Sequence, residues 1–250
     1  MSRQARTLSK TGIYHIMLRG INQQQIFQEE EDYKKFIKII KECKEAKLFN
    51  IYAYCLMGNH IHLLLQEKEE VIGQVMKRIA SRFASWYNIK YQRVGHLFQD
   101  RYKSEPVETT EYFLTVLRYI HKNPIKAYIC DCIDEYKYSS YQEYIGKKDL
   151  IDDEFVYGCI SKERFIDFHI METKEICMDV EETVRRRLTE EQALKMFKKQ
   201  TGCDNTTEFQ GMAETKKQKQ IVKLYEKGLS IRQISRLTGE TKGMVEKWLK

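Results

Sequence analysis

Two histidines, His60 and His62, stand one residue apart in an otherwise apolar run from Cys55 to Leu65. Successive side chains of a strand alternate faces, so both imidazoles project to one side while Ile61, Leu63 and Leu65 turn toward a core. Imidazole is a common ligand for first-row metals, and the pair makes a two-point platform for one ion. A lone His-x-His pattern is weak evidence by itself, since most such pairs are structural. Nearly sixty residues later, Tyr119 and Asn123 lie one helical turn apart at the edge of an apolar stripe, with Tyr112 on the same edge. Pro124 follows and disfavours helical geometry at Asn123.

The elements that must position these groups are legible from periodicity. Gly12–Gly20 reads as a strand with Tyr14, Ile16 and Leu18 on one face and Ile13, His15, Met17 and Arg19 on the other. That second face is a candidate active-site or DNA-facing surface. Residues 29–46 read as an amphipathic helix and 51–56 as a strand. Gly58-Asn59 supplies hairpin-turn residues leading into the histidine strand. A second helix over about 69–90 carries a wide apolar stripe and a basic flank of Lys77, Arg78 and Arg82. The loop from Gly95 interleaves aromatic and basic residues, including Phe98, Arg101, Tyr102 and Lys103, a mixture suited to stacking on unpaired bases beside phosphates. A strand at about 102–107 precedes the third helix, which starts near Thr110. The order β-α-β-β-α-β with one appended helix predicts an α+β fold with a ferredoxin-like, split β-α-β antiparallel sheet.

Composition sets wider bounds. The chain has 250 residues, 42% hydrophobic, and a formal net charge of +7, enough for one large or two modest domains with a mildly basic surface. Seven cysteines are scattered without a CxxC pair, which predicts reduced thiols and a cytoplasmic location. No apolar run approaches membrane length and no signal peptide opens the chain, so no membrane partner is expected. Arg3, Arg6 and Lys10 belong to a loose basic arm.

The domain expectation is a catalytic domain over 1–146, a linker over 147–180 and a helical domain over 181–250. Tyr136, Tyr138, Tyr141 and Tyr144 surround Ser139-Ser140 and are expected to anchor their segment on the first domain. Thr189 with Gln192 makes a capping box opening a helix. A further helix covers about 216–227, and 231–249 reads as helix-turn-helix, with Ser230 as a cap and a turn at Thr238-Gly239. Thr241, Lys242, Gly243 and Lys247 would then face the major groove of duplex DNA. The alternative is a small helical bundle used for protein contacts.

Five stretches taken together resemble the single-tyrosine, histidine-hydrophobe-histidine transposases, and among them the REP-associated tyrosine transposases. They are Tyr14-His15-Ile16 with Arg19-Gly20; Met57-Gly58-Asn59-His60-Ile61-His62-Leu63-Leu64; Gly95 to Ser104; Arg118-Tyr119-Ile120-His121-Lys122-Asn123-Pro124; and Tyr138-Ser139-Ser140-Tyr141. The resemblance covers about residues 8–146. It implies that His60 and His62 are metal ligands, with Asn123 a third, polar ligand, for Mg²⁺ or Mn²⁺. It implies that Tyr119 is the nucleophile, forming a 5′-phosphotyrosine and a free 3′-hydroxyl on single-stranded or hairpin DNA. It also favours a monomer, with a homodimer as the alternative. Charge and position add Arg19, Lys77, Arg78, Arg82, Arg101 and Lys103 as candidate phosphate contacts. His15 and His121 are expected to be structural or DNA-contacting. The rival readings are a catalytically retired, sequence-specific DNA-binding regulator and a replication-initiator-type nickase.

Overall fold

The run Ile13–Arg19 (β1) is bounded by Gly12, at φ +70°, and by Gly20, and it forms an inner strand of a four-stranded sheet. A helix, Glu30–Lys44 (α1), follows, then the hairpin strands Phe49–Met57 (β2) and His60–Glu67 (β3), joined by the two-residue turn Gly58-Asn59. Next come the helix Ile72–Lys90 (α2), the short strand Lys103–Pro106 (β4) and the helix Thr110–Lys126 (α3). The strand order β2-β3-β1-β4 is antiparallel throughout, as a split β-α-β arrangement requires. The computed structural model describes residues 6–45, 48–146, 148–171, 177–178 and 188–249. Arg3 of the basic arm lies outside them.

Register fixes which side chains share a face. His62 stands opposite Met17, which stands opposite Lys103; His60 stands opposite Arg19; and Glu105 stands opposite His15. These residues therefore share one side of the sheet, as directly paired residues and those two apart along a strand must. α3 lies across β2 and β3, and its Tyr119 ring meets those of His15 and His62. α1 and α2 pack against each other as well as on β2 and β3. Asp32, fully buried in the first turn of α1, accepts hydrogen bonds from the Gln28 and Glu29 N–H groups, from Lys90 Nζ at 2.7 Å and from Tyr91 Oη. It thereby ties the start of α1 to the end of α2.

The third helix continues through Asn123-Pro124 to Lys126, against the expectation that Pro124 would disturb it. Proline in a helix removes one amide donor and crowds the preceding turn. Here it sits in the last turn, and the Asn123 and Pro124 carbonyls still accept from Ala127 and Ile129.

The expectation of a linker over 147–180 is corrected. The helices Tyr141–Ile145 (α4), Glu154–Cys159 (α5) and Lys162–Ile170 (α6) belong to the first compact unit, Met1–Asp179. Leu150, Ile151, Val156 and Phe165 are buried in the same core as the sheet. The acidic stretch Asp149–Glu154 acts as a clamp. Asp152 Oδ2 accepts from the Ile51 N–H at 2.8 Å and from Lys44 Nζ at 2.9 Å, and Asp149 pairs with Lys41. Residues 172–176 and 179–187 lie outside the described set.

The tyrosine cluster also docks on β2. Ser139 bridges to Cys55, Tyr136 Oη donates to the Leu56 carbonyl, Tyr144 Oη donates to the Tyr52 carbonyl, and Tyr138 stacks on Tyr33. The exposed edge of β2 is thus covered, as a sheet edge needs to be.

The second unit, Val180–Lys250, is helical. Its elements are Glu190–Thr201 (α7), Thr206–Gln210 (α8), Glu214–Glu226 (α9), Ile231–Thr238 (α10) and Lys242–Trp248 (α11). Thr189, Ser230 and Thr241 cap α7, α10 and α11, and Gly239 at φ +74° makes the turn between the last two. Ile221, Leu224, Ile234 and Val245 are buried at its centre. No described helix is long and apolar enough to cross a membrane.

Candidate active site

The histidine strand delivers two imidazoles to one face, and their rings lie 5.0 Å apart between centroids at 86° to each other. Their outer nitrogens are engaged. His60 Nδ1 is 2.7 Å from Asn59 Oδ1, and Asn59 Nδ2 donates in turn to the Gln23 carbonyl, which fixes the oxygen as the atom facing His60. An amide oxygen only accepts, so the His60 proton sits on Nδ1 and Nε2 carries the lone pair. His62 Nδ1 is 2.9 Å from His15 Nε2. Both rings therefore use Nδ1 for orientation, the arrangement metal-ligating histidines adopt. At a metal–nitrogen distance of about 2.1 Å, two imidazoles on one ion have ring centres roughly 5 Å apart. The donor set thus fits a divalent ion.

Tyr119 comes from α3. Its ring meets His62 edge-on at 5.7 Å and His15 at 5.8 Å, and Lys126 Nζ lies 4.1 Å from its centroid. Asn123, one turn later, is buried and donates through Nδ2 to the Tyr119 carbonyl at 3.0 Å, so its Oδ1 is left as the acceptor atom. Among the described residues, no three His, Cys, Asp or Glu side chains cluster as a metal site, so a complete donor set here would need the amide or water. Tyr119, His60 and His62 are each at most 1% exposed.

Tyr112, on the same edge of α3, is engaged otherwise. Burial and the Glu105 carboxylate to which it hydrogen-bonds push its phenol well above the usual range. Glu105 is held below the usual carboxylate range, chiefly by its contact with His15 and further by Tyr112 and the Met178 N–H.

The candidate phosphate contacts divide. Arg19 and Lys103 lie on the histidine face, in register with His60 and Met17. Lys77 and Arg101 line an open cavity of about 820 Å³ with Arg6, Phe98 and Tyr102. Arg78 instead pairs with Glu70, and Arg82 with Glu42 of α1. Thr241, Lys242 and Lys247 are exposed in the second unit.

Sequence reasoning gave His169 no role and left His121 without a defined one. His121 Nε2 contacts Ser140 Oγ at 2.8 Å and its Nδ1 contacts His169 Nε2 at 2.9 Å, while Ser140 Oγ accepts from the Tyr54 N–H. This buried chain fastens α3 to β2 and α6. Its signals were the serine pair among tyrosines and the histidine two residues beyond Tyr119. Glu105 was also missed; only its place opposite His15 marks it.

Residues 9–123 match the family described as "Transposase IS200 like". Among solved structures, a REP-associated tyrosine transposase bound to a REP hairpin aligns with a TM-score of 0.50 and 18% identity, covering 58% of this chain and 86% of that one. A candidate transposase from Deinococcus radiodurans R1 aligns with a TM-score of 0.34 and 17% identity over 48% of this chain and 97% of that one. No curated protein matches the chain.

Proposed function

We propose that the protein is a divalent-metal-dependent transposase that cleaves and rejoins single-stranded, hairpin-forming DNA through Tyr119, a reading supported by the match of residues 9–123 to the IS200-like transposase family. The observation that carries the reading is the meeting of Tyr119 with His62, at 5.7 Å between ring centroids. This supports the reading, because a nucleophile at Tyr119 would lie within reach of a metal held by His60 and His62.

In the cleavage step, Tyr119 Oη gives up its proton to water and bonds to the scissile phosphorus, and the bond from phosphorus to the 3′ oxygen breaks. That oxygen leaves as a 3′-hydroxyl after taking up a proton, and the 5′-phosphate stays esterified to tyrosine. Energy of the phosphodiester is kept in the phosphotyrosine, so attack by a 3′-hydroxyl rejoins a strand without ATP. His60, His62 and the Asn123 oxygen would hold Mg²⁺ or Mn²⁺; when bound, the ion polarises the phosphate. The Lys126 ammonium lies 4.1 Å from the Tyr119 ring centroid, a cation–π contact that helps hold the ring in place. Arg19 and Lys103 on the same sheet face suit phosphate contacts. The pairing of Tyr119 with His62 within one chain supports a site completed in cis and a monomer. The exposed Thr241, Lys242 and Lys247 of the second unit suit contact with duplex DNA in a helix-turn-helix. The reading places the protein in the cytoplasm.

The test is a hairpin oligonucleotide incubated with the protein and Mn²⁺, resolved on a denaturing gel. A covalent adduct that disappears in Tyr119→Phe is expected; an adduct that persists in that variant overturns the assignment. A second reading, a DNA-binding regulator without cleavage, draws on the burial of Tyr119. Hairpin binding with no adduct at any metal concentration would favour it.

A further inference from the structure

We propose that His15 is a positioning residue that holds His62 in its metal-accepting tautomer, with Glu105 fixing the proton on His15. The inference rests on the metal reading of His60 and His62. Three strands contribute. Glu105 of β4 stands opposite His15 of β1, and His15 lies diagonally across from His62 of β3 on the same face. His15 and His62 are both fully buried, with rings stacked at 5.2 Å. His15 Nε2 is 2.9 Å from His62 Nδ1, and His15 Nδ1 is 3.7 Å from Glu105 Oε2.

With His15 neutral, one proton placement suits both its Glu105 and its His62 contact. At 3.7 Å the Glu105 carboxylate is beyond hydrogen-bond length, but its negative charge favours the proton on the facing His15 Nδ1. His15 Nε2 then presents its lone pair and accepts from His62 Nδ1–H. His62 Nε2 is thereby unprotonated and able to bind a metal. The reverse placement puts the His15 Nδ1 lone pair toward an anion. It also forces the His62 proton onto Nε2, where it blocks coordination. Glu105 is itself steadied by the Tyr112 phenol and by the Met178 N–H at 3.1 Å. His60 reaches the same tautomer more simply, through Asn59. The two ligands are thus oriented by separate devices, one local to the hairpin turn and one spanning the sheet.

The experiment measures Mn²⁺ binding by full-length protein without DNA, through titration calorimetry and the ¹⁴N couplings in pulsed electron paramagnetic resonance. Loss of an orienting partner typically costs about 10–100-fold in metal affinity. His15→Phe, which fills the space but cannot accept a proton, is expected to lose about that much and to reduce two nitrogen couplings to one. His15→Gln, which keeps an acceptor, is expected to recover most of the affinity. Wild-type affinity and two couplings in His15→Phe, while His62→Ala loses binding, overturn the proposal. Wild-type binding in His62→Ala overturns the metal reading instead. Should His15→Phe fail to fold by circular dichroism, Glu105→Gln decides, because that side chain is 34% exposed. Weakened Mn²⁺ binding there supports the relay, and unchanged affinity with two couplings overturns it.

Discussion

Tyr119 meets His62 edge-on, with ring centroids 5.7 Å apart, although one belongs to a strand and the other to a helix far along the same chain. The sheet fixes His62 through its register with Met17, and α3 brings Tyr119 over it because Phe113, Val116, Leu117 and Ile120 bury the rest of that helix. In the proposed reading, the site's two halves therefore meet within one chain.

A cis site predicts no complementation. Mixing His62→Ala with Tyr119→Phe should leave covalent adduct on hairpin DNA at the level of either variant alone. Restored adduct in the mixture would mean that the tyrosine helix serves a second chain, and would sink the monomer.

Tyr112 should be dispensable as a nucleophile. Burial and Glu105 raise its pKa well above the ordinary phenol, so little phenolate forms there. Tyr112→Phe is expected to retain adduct formation on a denaturing gel, reduced several-fold at most through the loosening of Glu105. Complete loss, with Tyr119→Phe still active, would exchange the two roles.

The buried His121–His169 pair predicts an acid limit to stability. Burial holds His121 well below the usual histidine range and His169 down at about 4, with Arg118 and Lys122 also disfavouring charge on His169. In the unfolded chain both titrate near 6.5. The native state thus binds fewer protons than the unfolded state between these values. The stability from keeping the pair neutral is complete above about 6.5 and is lost as pH falls toward about 4, at up to about 1.4 kcal/mol per pH unit for each histidine. Urea midpoints at pH 7 and pH 5 check this. The wild type should lose more than His169→Phe over that interval, and equal losses would refute it.

How much of this was legible beforehand depends on the range of the interaction. The alternation in β1 and β3 put His15, Arg19, His60 and His62 on predictable faces, since a strand's period of two is local. The same held for α3, where 100° per residue placed Tyr119 beside Asn123. Pairing register is not local, so the opposition of Glu105 to His15 and the contact of His15 with His62 could not be read. The linker expectation failed for a related reason. Residues 147–170 are rich in charge, but Asp149 and Asp152 answer Lys41 and Lys44 across the fold, while Val156 and Phe165 fill the core. The helical signals of the second unit were caps and a glycine turn, which act within a few residues, and they placed α7, α9, α10 and α11 correctly. The short α8 carries too few turns to show a period.

Position in the sheet also sorts the basic residues, and this gives the last prediction. Arg82 lies on α2 and is paired with Glu42 of α1, so its charge is largely answered within the fold. Lys103 stands opposite Met17 on the face that holds His60 and His62, where in the proposed reading a strand presented to Tyr119 would run. A lysine that neutralises a phosphate releases a counterion, and for single strands each such contact contributes about 0.7 to the slope of log affinity against log salt. Lys103→Ala should therefore weaken hairpin binding and flatten the slope by about that amount, measured by fluorescence anisotropy from low to physiological salt. Arg82→Ala should leave the slope unchanged and instead lower the urea midpoint slightly, because it frees Glu42 from its partner. If Arg82→Ala flattens the slope and Lys103→Ala does not, the strand runs along α2 and its basic flank, and the sheet face is not the DNA path.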